Sequence, residues 1–88
     1  MLEDGIQDKP IIEYPCEWTY KVIGAQREAL ESAVGEVMGS QAYDLSFSNW
    51  SKGGAYCSLN LKVTVETEDN RTDIYHSLQR RSEIRYVL

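Results

Sequence analysis

Histidine, cysteine and basic charge are scarce in this 88-residue chain, and each scarcity removes a class of function. Two cysteines, Cys16 and Cys57, are too few for a disulfide framework or a structural zinc site. His76 is the one histidine, and it falls off the apolar stripe of its segment, as a solvated side chain does and a general base need not. Nine basic residues face fourteen acidic ones, a net charge of −5. A surface that neutralises phosphates carries a basic excess, so the balance argues against nucleic acid as the partner. No apolar run approaches the ~20 residues of a membrane span. The first residues lack the basic start and apolar stretch of a secretory signal. Neither a Gly-x-Ser-x-Gly elbow nor a Walker A loop is present. The expectation is a reduced, cytoplasmic, non-enzymatic protein with no metal and no cofactor.

A chain this long makes one domain. Residues 1–17 hold five acids (Glu3, Asp4, Asp8, Glu13, Glu17) and one base, Lys9, which leaves the rest of the chain near neutral. Residues 1–13 are polar and aperiodic, so they read as a flexible acidic leader. Residues 14–88 read as the domain.

Trp18 to Ile23 alternates apolar and polar, the pattern of strand 1, and Gly24 stops it. Residues 25–38 follow the helical period, with Gly39 at the place of a cap glycine. Tyr43 to Trp50 reads as strand 2, residues 51–54 as a turn, and residues 55–66 as strand 3. Residues 69–81 read as a second helix, capped by Thr67 or Asp69 and striped with Ile74, Tyr75 and Leu78. Residues 84–88 make strand 4.

The order βαββαβ is the ferredoxin-like α+β arrangement: a four-stranded antiparallel sheet, order 4-1-3-2, with both helices on one face. Alternation predicts Trp18, Tyr20, Val22, Leu45, Phe47, Leu59, Leu61, Val63, Ile84 and Tyr86 toward the helices. It predicts Thr19, Lys21, Ile23, Ser46, Ser48, Trp50, Tyr56, Ser58, Asn60, Lys62, Arg85 and Val87 toward the bare face. Lys21, Asn60, Lys62 and Arg85 are the candidate binding residues there. Cys16 and Cys57 share the inward parity. Strands 1 and 3 are read as parallel neighbours in this order, so both thiols are expected at one end of the core, close together and unbonded.

Three blocks carry a resemblance. Ile12-Glu13-Tyr14-Pro15 is followed by Trp18-Thr19-Tyr20-Lys21-Val22-Ile23-Gly24; Ser51-Lys52-Gly53 is followed by Tyr56 and Ser58; and Ile84-Arg85-Tyr86-Val87-Leu88 comes last. Together they resemble the YbeD family of small uncharacterised bacterial proteins, from about Ile12 to Leu88. The resemblance implies a fold similar to ACT-type regulatory domains, and no assigned activity. In those domains effectors lie by the strand 1–helix 1 loop, which here makes Gly24, Ala25 and Gln26 the candidate ligand site. The loop lacks the acidic residue and the proline-glycine pair usual in ACT domains.

The expected partner is therefore a protein or a small-molecule effector. Edge strands 2 and 4 also keep free backbone groups, which suits a weak homodimer. The alternative is an RNA-binding module on the bare face. Lys52-Gly53-Gly54-Ala55-Tyr56 partly matches the RNA-recognition strand 3 motif. Gly54 and Leu59, however, stand where base-stacking aromatics belong.

Overall fold

The computed structural model describes residues 12–88. Residues 1–11, most of the predicted leader, lie outside the described residues. The elements run β1 (Cys16–Gly24), α1 (Arg27–Met38), β2 (Asp44–Trp50), a 3-10 turn (Lys52–Gly54), β3 (Cys57–Val65), α2 (Glu68–Gln79) and β4 (Tyr86–Val87). The fold is the expected α+β arrangement, a four-stranded sheet in the order β2-β3-β1-β4.

Local chemistry places the breaks. Thr67 Oγ1 accepts the Asn70 N–H at 3.0 Å and caps α2. Gly39 ends α1 at φ 60, its N–H donating to the Gly35 carbonyl. The β2–β3 connection needs φ 84 at Gly53 and φ 75 at Gly54, which side chains resist. Leu30, Ala33, Val34 and Met38 of α1, with Ile74 and Leu78 of α2, bury against Tyr20, Val22, Leu59, Leu61 and Val63.

All ladders are antiparallel, and this overturns the expected parallel pairing of strands 1 and 3. The crossover through α1 makes β1 and β2 point the same way, and the hairpin then reverses β3. Cys16 pairs with Val65 and Cys57 with Gly24. The thiols therefore sit at opposite ends of the central pair, eight residues apart along β1, or about 27 Å at ~3.4 Å per residue. Both are free: Cys16 is half-buried and Cys57 buried.

The facing of three residues also changes. A bulge between Phe47 and Asn49 inserts one residue, so Trp50 pairs with Cys57 on the helix side rather than facing the bare side. In strand 4, Tyr86 pairs with Ile23 and Val87 with Val22. Tyr86 thus faces the bare side, 53% exposed, and Val87 faces the core. The chain leaves α2 through a turn in which Ile84 donates its N–H to the Arg81 carbonyl. Ile84 buries there, and the ladder begins two residues later than the alternation suggested.

Candidate functional site

Three surfaces can receive a partner. The most apolar lies beside β1, where β4 is too short to cover the strand. The Leu88 N–H and carbonyl bond Lys21, and Arg85 donates to the Ile23 carbonyl. Alternation then points the N–H and C=O of Glu17 and Thr19 toward the same edge, where no other described residue pairs with them. Above this edge is a 230 Å³ cleft lined by Trp18, Tyr20, Arg71, Thr72, Tyr75 and Leu88.

Its walls are held by contacts between β1 and α2. The Arg71 guanidinium lies 4.4 Å from the centre of the Trp18 ring, a cation–π stack. The Tyr20 hydroxyl donates to the Arg71 carbonyl at 2.7 Å, which ties the helix's first turns to the strand. Burial pushes the Tyr20 phenol up to about 12, and the Arg71 charge pulls the other way. Among the described residues Arg71 has no carboxylate partner. The cleft thus offers aromatic walls, one cation and an open strand edge.

The second surface is the bare sheet face. Lys21 lies directly opposite Asn60, while Lys62 lies between Thr19 and Asp44, whose carboxylate offsets it. Arg85 precedes β4, exposed, beside the phenols of Tyr86 and Tyr56, which raise its pKa. Those two rings meet edge-on at 6.5 Å. The Ser58 side chain on this face is buried, and its hydroxyl has no partner among the described residues.

The third surface is a hollow of 300 Å³ and mixed polarity at the β1–α1 junction, lined by Ala25, Gln26, Ala29, Ser82 and Glu83. Ala25 and Gln26 therefore lie in it together. Gly24 is buried beneath it, and a Cβ there would stand 2.5 Å from the Glu83 carbonyl oxygen and 2.8 Å from Leu30 Cδ2. That glycine answers to packing between β1 and the turn before β4. Arg81, which bridges Glu36 and Glu83, fixes the same turn. Hydrogen bonding and charge from Arg81 hold the Glu83 carboxyl below its ordinary range.

Among the described residues no three His, Cys, Asp or Glu side chains converge to hold a metal, and no helix is long and apolar enough to cross a membrane. His76 is exposed and packs edge-on to Tyr75 at 5.4 Å.

The cleft escaped the sequence reading because Trp18 and Tyr20 alternate like core residues. One signal was available. Arg71 stands one helical turn before Tyr75 and two before Leu78, a cation on an otherwise apolar stripe. The mismatch between a long strand 1 and a short strand 4 was the other.

Comparisons with known proteins agree with this architecture. Residues 9–88 match the model of a family described as protein of unknown function DUF493. The UPF0250 protein IL0958 of Idiomarina loihiensis is 35% identical over 81 residues, covering 89% of this chain and 91% of its own. The uncharacterised protein Cj0253 of Campylobacter jejuni is 32% identical, covering 89% and 90%. The solution structure of HP0495 from Helicobacter pylori superposes with a TM-score of 0.77 at 28% identity, covering 92% of this chain and 89% of that one. The chain belongs to the DUF493 family, the UPF0250 group of small bacterial proteins to which YbeD belongs.

Proposed function

We propose that this chain is a non-enzymatic regulatory or interaction domain that meets its partner in the cleft beside β1. The observation that carries the reading is the cleft itself: aromatic walls on two sides and a cation without a counter-charge among the described residues. Apolar concavities with a few convergent polar groups are the usual form of a binding site. The chemistry suits a group with an apolar body and an anionic tip. The ACT-like hollow at Ala25 and Gln26 remains a second place for a small effector, with weaker walls.

The test is a titration of the 15N-labelled protein with 4-phenylbutanoate, up to about 10 mM, where millimolar binders register. The expected result is a saturable shift of the Trp18 indole N–H and of the Arg71, Thr72 and Tyr75 amides, lost in Arg71→Ala. Shifts confined to Ala25, Gln26 and Ser82, or none, would refute the cleft.

One observation favours RNA instead. Tyr56 and Tyr86 stand together on the bare face beside Arg85, so Tyr86 supplies a second ring there in place of Trp50, which the bulge turns to the helix side. Stacking contributes about 1–3 kcal/mol per base, and two rings are a modest platform. Oligouridine bound below about a micromolar, with affinity falling as salt rises, would establish that reading. Weaker binding would dismiss it.

A further inference from the structure

We infer that the cleft takes an extended acidic peptide, which adds to the sheet as a strand along the free edge of β1; this rests on the cleft being the binding site. Two independent features of the edge fit such an occupant and are left unused by a compact ligand. The first is the backbone. Glu17 and Thr19 each turn an N–H and a C=O outward, and a second chain in extended conformation is the partner that satisfies all four at once. The second is the side-chain period. In an antiparallel addition the peptide residue opposite Thr19 and the one opposite Glu17 exchange backbone hydrogen bonds and face the bare side. The residue between them, opposite Trp18, faces the helices and enters the cleft.

That entering side chain meets the Trp18 ring with the Arg71 guanidinium over it, and Tyr75 beyond. A glutamate fits: its methylenes lie on the aromatic walls and its carboxylate reaches Arg71. A lysine there would face Arg71 and is excluded. Leu88 already occupies the place opposite Lys21, so the peptide begins opposite Thr19 and runs toward Cys16.

The probe is the peptide Thr-Glu-Thr-Val-amide with a free amino end. Trp50→Phe leaves Trp18 as the one tryptophan, and its emission reads the cleft. The expected result is a saturable change in Trp18 emission. Methylating the amide nitrogen of the third residue, which pairs with the Glu17 carbonyl, weakens binding about tenfold or more. Replacing the peptide glutamate by lysine abolishes binding to the parent protein, and Arg71→Glu reverses that preference. The methylated peptide needs no protein variant, so it decides the matter even where Arg71→Glu unfolds the chain. If the methylated peptide binds as well as its parent, or 4-phenylbutanoate binds and the peptide does not, strand addition is wrong and the cleft stands. If 4-phenylbutanoate does not bind, the cleft reading falls, and strand addition with it. An emission change that follows protein concentration and ignores peptide would give the edge to a second copy and overturn the inference.

Discussion

Gly24→Ala separates a packing glycine from a ligand-binding one. The added Cβ would stand 2.5 Å from the Glu83 carbonyl oxygen and 2.8 Å from Leu30 Cδ2. Ordinary contact begins near 3.4 Å, so the neighbours must retreat by most of an ångström. Neither gives easily. Leu30 is fully buried, and the Glu83 carbonyl belongs to a backbone turn that Arg81 fixes. Overpacking against well-held atoms costs about 1–3 kcal/mol, and a backbone obstacle puts this change at the upper end. At about 1–1.5 kcal/mol per molar urea for a small domain, the midpoint falls by about 2 M. Gly35→Ala is the control. It lies within α1, where a Cβ meets only the Tyr43 hydroxyl, at 3.5 Å. The gain in helix propensity should stabilise the fold by about 0.5–1 kcal/mol. Urea denaturation followed by circular dichroism reads both. A Gly24→Ala midpoint equal to the parent's would refute the packing account and return Gly24 to the ligand hollow.

Tyr20→Phe should remove a pH dependence. The folded phenol titrates at about 12 against an ordinary 10.0, so its contribution is intact below pH 10 and is lost as pH rises toward 12. The parent should therefore lose stability over that window more steeply than the variant, in thermal melts at stepped pH. At neutral pH the variant should be weaker by about 1 kcal/mol, since the Arg71 carbonyl loses its donor. Leu61→Ala should cost about 2–5 kcal/mol by opening a cavity in a central strand, and Lys62→Ala under about 0.5 kcal/mol; equal costs would refute the β3 register. A thiol reagent should label half-buried Cys16 first. Cys57, buried and with its thiol pKa raised by that burial, should react only on unfolding. A disulfide formed within one chain under mild oxidant would contradict the strand directions.

Strand and helix placement was legible because period is a local property. Leu59, Leu61 and Val63 announce an inward face whatever lies beside them. The errors arose where information is not local. Tyr86 and Val87 exchanged sides because the turn after α2 spends Ile84 on the core before the ladder starts. Trp50 crossed the sheet because one inserted residue on β2 leaves no mark on alternation. The cysteines parted because relative strand direction follows from connectivity, which pairs β1 with a strand entered by a hairpin. The cleft was hard to read for a further reason. Apart from Arg71 and Thr72 its walls are ordinary core residue types, and the two-residue β4 leaves them uncovered.

The sheet's order has a consequence during synthesis. β1 is one of the two central strands, yet its partners are distant in the chain: Gly24 awaits Cys57, 33 residues on, and Cys16 awaits Val65, 49 residues on. At about 5–20 residues per second a ribosome keeps β1 waiting for some 2–10 s. For that time an apolar strand is exposed beside other nascent chains. Glu17 and Lys21, of opposite sign on its polar side, act then as gatekeepers against pairing with the wrong strand. The hairpin of β2 and β3 closes first because its ends are near, and β1 must enter against an edge that already exists. The domain therefore has no stable half: until the centre of the sheet is filled, neither helix has a floor to pack upon.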